Sequence, residues 1–197
     1  MKGHKGNEFF DEIAPRWDVV AKHDPMKVFL LVEKMIMKPG MNVLDVGTGT
    51  GILVPWILPR ITQSGRLTAI DLSSGMLDEA KSKFSDSNVT FVNDDIHTCT
   101  FIEKFDRIIV YSAFPHFLNK PQAIQNMANH LKPDGMLQVC HSSSRAHING
   151  VHEKTEQVKL DYLPDAKEVE QMFELAGLRI VESVDNNELY LVRGQKH

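Results

Sequence analysis

Three groups of residues have types and spacing suited to chemistry. The first is Asp45-Val46-Gly47-Thr48-Gly49-Thr50-Gly51, a carboxylate followed by alternating glycines. Without Cβ atoms, such a backbone can close on a bound molecule or adopt positive φ. The second is Asp71, ahead of Leu72-Ser73-Ser74-Gly75-Met76. Its two acceptor oxygens suit a pair of hydroxyls, although Asp71 and Ser73 also read as the cap of a helix. The third is a set of histidines: His116, then His141, His147 and His152 within one short segment. Imidazole titrates near neutrality, so His116 or His141 can relieve a nucleophile of its proton. The segment can also ligate a transition metal, bind substrate, or present a solvated helix face, and His116 can equally be a polar wall.

The elements that must position these groups follow from periodicity. Met41–Val46 is short, apolar and branched, as in a strand covered on both faces. Ile52–Ile61 has helix-length apolar content, limited by Pro55 and Pro59. A strand, bend and helix can hold a dinucleotide, a nucleoside triphosphate or an uncharged or zwitterionic ligand. The first requires Gly-x-Gly-x-x-Gly and the second a Gly-Lys-Ser/Thr ending. The chain has neither, which disfavours a nicotinamide dehydrogenase. It also has no Lys or Arg between Met41 and Arg60 to meet a phosphate. A ligand presenting an amine and a carboxylate fits better, with Asp45 orienting the ammonium and free amides at the helix start receiving the carboxylate.

Further along, Leu67–Asp71 reads as a strand, Ser73–Phe84 as a helix, Val89–Val92 as a strand, and Phe105–Tyr111 as another ending near Ser112 and His116. Pro121 opens a helix carrying Ile124, Met127, Ala128 and Leu131, and Leu131–Val139 turns into a strand. Ser144 is a candidate helix cap. His147 and His152, five residues apart, would then lie about 140° apart around the axis and chelate together only if the helix ended between them. Asp165 caps a helix with the stripe Val169, Met172, Phe173 and Ala176, stopped by Gly177. Leu178–Val184 and Glu188–Val192 form a hairpin across Asn186-Asn187. Near the start, Asp24-Pro25 opens a helix whose Val28, Leu31, Val32, Met35 and Ile36 face the core, ended by Lys38-Pro39-Gly40.

Val43-Leu44-Asp45-Val46-Gly47-Thr48-Gly49-Thr50-Gly51 resembles motif I of the class I S-adenosylmethionine-dependent methyltransferases. That resemblance implies an acidic residue after the next strand, which Asp71 supplies, and Leu72 and Met76 continue the pattern. It implies that Asp45, Gly47, Thr48, Gly49, Gly51 and Asp71 bind S-adenosylmethionine, with Asp71 on the ribose hydroxyls. Asp95 would then meet the adenine amino group and Ile96 its ring. Tyr111 and Ser112 would line the methionine portion, with Ser112 also toward the acceptor. His147 and His152 lie in a segment the family pattern does not explain and are acceptor-binding candidates on the chemistry of imidazole alone. The opening Phe9-Phe10-Asp11-Glu12-Ile13-Ala14-Pro15-Arg16-Trp17-Asp18 is similar to that of the branch including the ubiquinone and menaquinone C-methyltransferases. There it closes over the cofactor, so Phe10, Trp17 and Asp18 become lid candidates, Phe10 and Trp17 also facing the acceptor, unless Phe9, Phe10, Ile13 and Trp17 merely pack on the sheet. Leu131-Lys132-Pro133-Asp134-Gly135 is similar to the family's Leu-Lys-Pro-Gly-Gly turn, with Asp134 for one glycine. The implied fold is α/β, a Rossmann-like three-layer sandwich with a seven-stranded sheet in the order 3-2-1-4-5-7-6, strand seven antiparallel. Residues 1–38 would form a helical lid on a single methyltransferase domain at 39–197. The implied reaction is direct in-line methyl transfer to a small molecule, leaving S-adenosylhomocysteine. A cofactor-binding but inactive sensor and an enzyme with a histidine-bound metal are the alternatives.

Composition sets the outer limits. The chain has 197 residues, 42% of them hydrophobic, enough for one sizeable core. A net charge of −4 and the lack of a basic block argue against nucleic acid as a partner. No apolar stretch reaches the length of a membrane span. Two cysteines, Cys99 and Cys140, without a Cys-x-x-Cys pair or secretory leader, suit a reducing cytoplasm. Met1 to Gly6 is expected to be disordered. Oligomeric state is open, a homodimer included.

Overall fold

The computed structural model describes residues 5–197. Helix α1 (Lys5–Ile13), a 3-10 turn (Ala14–Arg16), α2 (Trp17–Val20) and α3 (Pro25–Glu33) precede the sheet. Strands β1 (Asn42–Val46), β2 (Arg66–Asp71) and β3 (Val89–Asn93) alternate with helices α4 (Val54–Ile61) and α5 (Ser74–Lys83). Then come β4 (Phe105–Tyr111), a second 3-10 turn (Phe114–His116), α6 (Lys120–His130), β5 (Leu131–His141), α7 (Arg145–His152), α8 (Ala166–Leu175), β6 (Leu178–Asp185) and β7 (Tyr190–Lys196). The seven strands are ordered β3-β2-β1-β4-β5-β7-β6. β1 is parallel to β2 and β4, and β7 runs antiparallel to both neighbours, as the motif resemblance implies.

Strand pleating divides the core in two. Leu44, Val46, Ile108, Val110, Leu137 and Val139 face the side covered by α6 and α8. Val43, Leu67, Ile109, Tyr111 and Cys140 face α3 and α4. From β1 the chain winds outward through β2 and β3, then crosses back to β4 on the other side of β1. That reversal opens a crevice at the carboxyl ends of β1 and β4, where ligands of such sheets bind.

Several expected boundaries move for local reasons. α3 ends at Glu33, and Ile36 takes a positive φ of 50°, so Ile36 is exposed while Val28, Leu31, Val32 and Met35 are buried. The freed Met35 carbonyl accepts from Arg107 Nε at 2.6 Å. Ser73 stays outside α5 as its cap, accepting from the Met76 amide. The turn expected at Leu131–Gly135 is a bulge within β5, with Asp134 at φ 59°. β7 starts at Tyr190 rather than Glu188 because Asn186 Oδ1 accepts the amides of Glu188 and Leu189 within the turn. Of the segment expected to be disordered, Met1–His4 lies outside the described residues, and Lys5 and Gly6 begin α1.

Candidate active site

The glycine bend after β1 is fastened to the neighbouring strand. Gly47 and Thr48 amides donate to the Ile70 carbonyl, at 2.8 and 3.1 Å, and the Gly51 amide donates to the Thr48 carbonyl. Gly47 has φ +69°, and a Cβ there would lie 2.3 Å from the Ala113 Cβ of the loop after β4. Only glycine lets the two loops approach this closely. Across the contact Ser112 takes φ 55°, a conformation uncommon for residues other than glycine and concentrated at functional sites.

Asp71 closes the bend from the end of β2. Its Oδ2 accepts the Gly49 amide at 2.8 Å and its Oδ1 the Ser73 amide at 2.9 Å. Burial pushes the carboxyl's pKa up, opposed by these backbone hydrogen bonds. The amides of Gly47, Thr48, Gly49 and Gly51 are thus engaged within the protein. The bend offers space and a carboxylate edge.

A cavity of about 540 Å³ opens over these loops, within the range of small-molecule sites. Its lining includes Gly47, Thr48, Gly49, Asp71, Leu72, Met76, Asp95 and Ile96. Asp95 Oδ1 accepts the His97 amide at 2.9 Å and pairs with His97 Nδ1 at 2.5 Å. Asp94 lines the cavity too.

The cavity is also lined by Tyr111, Ser112 and His116 together with His23, Phe117, Leu118, Leu160 and Asp161. His116 Nδ1 lies 2.7 Å from Asp161 Oδ2, and its ring meets those of Phe10 and His152 at centroid distances of 4.9 Å. The Tyr111 hydroxyl sits between His23 Nδ1 at 2.7 Å and Ser142 Oγ at 2.8 Å. Burial pushes the Tyr111 phenol up to about 12. Burial lowers the His23 pKa against the opposing pull of Asp18. Both groups are therefore neutral near pH 7.

The N-terminal segment lies over the cavity. Asp11 Oδ1 accepts from Ser73 Oγ at 2.6 Å and from the Gly75 amide at 2.8 Å, which adds a second acceptor to the start of α5. Asp18 bridges Thr50 Oγ1 and Lys83 Nζ, at 2.5 and 2.7 Å. The Trp17 indole nitrogen lies 3.9 Å from the position of a Gly49 Cβ.

Comparison with known proteins agrees with this geometry. The methyltransferase-domain family profile matches residues 43–135. A malonyl-[acyl-carrier protein] O-methyltransferase of Acetivibrio thermocellus is 32% identical over 130 residues, covering 65% of this chain and 46% of that protein. A ubiquinone/menaquinone biosynthesis C-methyltransferase of Geotalea daltonii is 30% identical over 153 residues, covering 73% and 65%. The chain therefore spans between about half and two thirds of these relatives' lengths. A crystal structure of an S-adenosylmethionine-dependent methyltransferase from Aquifex aeolicus superposes with a TM-score of 0.74 at 21% identity, over 95% of this chain and 98% of that one.

The chain belongs to the class I S-adenosylmethionine-dependent methyltransferases.

Within this methyltransferase fold, the cavity gathers Phe10, Trp17, Gly47, Thr48, Gly49, Asp71, Leu72, Met76, Asp95, Ile96, Tyr111, Ser112 and His116 from the residues singled out in the sequence. Five others stand elsewhere. Asp45 is 1% exposed and accepts the Thr48 hydroxyl at 2.7 Å; the pleat turns it toward the α3 and α4 side, beneath the bend. Gly51 lies behind the bend, where a Cβ would stand 2.8 Å from the Phe84 ring. His141 is 1% exposed, inside the sheet against Tyr190 rather than at the cavity. Its pKa is lowered to about 3, chiefly by burial, so it stays neutral and out of reach of an acceptor. His147 is exposed on α7. His152 points back to the protein, Nδ1 donating to the Asp161 carbonyl at 2.9 Å, and reaches the site only through the His116 ring. The three histidines of that segment are thus dispersed, and no group of three His, Cys, Asp or Glu able to hold a metal occurs among the described residues.

Sequence reasoning missed His23, His97 and Asp161. They sit in irregular connections without periodicity; the partnerships of His23 with Tyr111 and of Asp161 with His116 span 88 and 45 residues, while His97 pairs with Asp95 two residues away. No local signal marks them.

Proposed function

We propose that this protein transfers a methyl group from S-adenosylmethionine to a small-molecule acceptor by direct displacement. The observation carrying the reading is the position of Asp71, its carboxylate at the cavity wall and fixed by the Gly49 and Ser73 amides. Each carboxylate oxygen has a further lone pair, so the fixed group can still accept from two vicinal hydroxyls. The bend above it lacks lysine and arginine, which suits a nucleoside without phosphates.

The residues present fit the cofactor. Asp71 would hold the ribose, Asp95 and Ile96 the adenine, and the loops at Gly47–Gly49 and Tyr111 the aminoacyl portion. When bound, S-adenosylmethionine supplies an electrophilic methyl group on a positive sulfur. The chain's contribution is then to orient the acceptor and exclude water. Phe10 and Trp17, on a segment anchored through Asp11 and Asp18, would cover the cavity as a lid, whereas α3, also within the expected 1–38 lid, packs Val28, Leu31 and Val32 into the core. His116 would take the acceptor's proton.

Incubation of the protein with S-adenosylmethionine and a metabolite extract, followed by mass spectrometry, tests the proposal. The expected result is S-adenosylhomocysteine together with an acceptor heavier by one methylene unit. Cofactor binding without either product would instead favour a sensor. His116→Ala is expected to lower turnover while leaving cofactor affinity unchanged, and unchanged turnover would remove His116 from the reaction.

A further inference from the structure

The acceptor side carries an arrangement that the methyltransferase fold itself does not require. Asp161, in the connection between α7 and α8, bonds His116 Nδ1 through its carboxylate at 2.7 Å and His152 Nδ1 through its carbonyl at 2.9 Å. A carbonyl and a carboxylate only accept, so in a neutral imidazole the proton sits on Nδ1 and Nε2 is left as the acceptor. Phe10 and His152 both contact the His116 ring at 4.9 Å, which limits its rotation. Burial lowers the His152 pKa, so this neighbour does not add a competing positive charge.

The charges around the cavity restrict what His116 can serve. Asp71, Asp94, Asp95, Glu156 and Asp161 line it. Among the described lining residues, Lys159 is the only lysine or arginine, and Glu156 holds it at 2.5 Å. Carboxylates among these described lining residues thus outnumber lysine and arginine five to one, which disfavours an anionic acceptor. At the rim, Leu118 and Leu160 are 69% and 85% exposed, beside Phe117 and Phe10. Such a rim suits an apolar body.

We propose that Asp161 is a positioning residue that presents His116 Nε2 as the proton acceptor for a neutral, apolar substrate bearing an ionisable hydroxyl or thiol. The inference rests on the methyl-transfer reading and deepens it. In the reaction, the acceptor's O–H or S–H proton moves to His116 Nε2. The oxygen or sulfur forms its bond to the methyl carbon, and the methyl–sulfonium bond breaks with its electron pair remaining on the departing sulfur. His116 becomes an imidazolium paired with the Asp161 carboxylate and returns its proton to solvent after product leaves.

The test uses the whole chain and two readouts. Imidazole 15N spectra should show His116 protonated at Nδ1 in the wild type. In Asp161→Asn the side-chain amide donates instead, and the proton should move to Nε2. With S-adenosylmethionine, 4-cyanophenol and phenylmethanethiol serve as neutral hydroxyl and thiol probes and benzoate as the anionic one. At least one neutral probe should be methylated in preference to benzoate. Asp161→Asn should lower kcat by about 10² to 10⁴ with little change in KM, and Asp161→Glu should recover part of it. If Asp161→Asn does not fold, His116→Gln supplies the loss of kcat and Asp161→Glu the retained Nδ1 proton. An unaltered tautomer in Asp161→Asn, an unaltered kcat, preference for benzoate, or no transfer to either neutral probe would each overturn the proposal. Failure of the wild type to bind S-adenosylmethionine in calorimetry would instead defeat the methyl-transfer reading, and the tautomer measurement would still decide the role of Asp161.

Discussion

Asp45→Asn should make the protein progressively more stable than the wild type as pH rises. Asp45 is 1% exposed, its Oδ2 accepting the Thr48 hydroxyl at 2.7 Å. Burial, with a smaller addition from Asp71 and against the Thr48 hydrogen bond, raises its pKa from an ordinary 3.8 to about 7. Between these values the folded chain holds a proton that the unfolded chain has released, so stability falls as pH rises through the window. Above about pH 7 the native state carries the full cost of a buried carboxylate. At about 1.4 kcal/mol per pH unit this approaches ~4 kcal/mol. Asparagine keeps an oxygen for Thr48 without the charge, while its amide needs a new partner and offsets about 1–3 kcal/mol of the gain at every pH. Urea unfolding of both proteins across the range isolates the titration, because other groups cancel in the difference. That difference should shift in favour of Asn by about 3 kcal/mol between about pH 5 and pH 8. Parallel stability curves would refute the argument and show Asp45 to be ionised without penalty.

Gly47→Ala combines a positive φ with a Cβ 2.3 Å from Ala113 Cβ, so denaturant midpoints should fall by the equivalent of about 2–4 kcal/mol. An unshifted midpoint would mean the two loops are not in contact. Asp11→Ala removes the acceptor for Ser73 Oγ and the Gly75 amide. Hydrogen exchange should then quicken through residues 8–20, consistent with a loss of about 1–2 kcal/mol, while the β1 and β4 amides keep their protection. His141, with a pKa of about 3 against 6.5, is neutral in both states above pH 6.5. As pH falls below 6.5 the unfolded chain takes up the proton first, so stability is lost progressively down to about 3. His141→Phe should flatten that acid limb of the unfolding curve, and an unchanged limb would assign it to other groups.

How far the sequence announces the structure differs between the two halves of the cavity. The side proposed for the cofactor is written locally, since Gly47 to Gly49 follow the carboxyl end of β1 and Asp71 is the last residue of β2. Asp45 belongs to the same motif, yet it precedes the bend within the strand, and the pleat sends it into the core. Strand alternation in β1 contained that information. The side proposed for the acceptor is assembled from distant irregular segments. His116 was legible from its place after β4, whereas Asp161 and His23 become meaningful only when the fold brings them to His116 and Tyr111. The dense histidine segment illustrates the converse. His141 ends a buried strand, His147 lies on the outer face of α7 and His152 turns back to Asp161, so adjacency in sequence becomes dispersal in space.

Calorimetric titration with S-adenosylmethionine, comparing wild type with Asp71→Asn and Asp71→Ala, tests the central claim most directly. The wild type should bind saturably and one-to-one. Loss of two charge-assisted hydrogen bonds, about 3 kcal/mol or more together, should weaken Kd by at least about a hundredfold in both variants. Wild-type binding that survives intact in Asp71→Ala, or no binding at all, would contradict it.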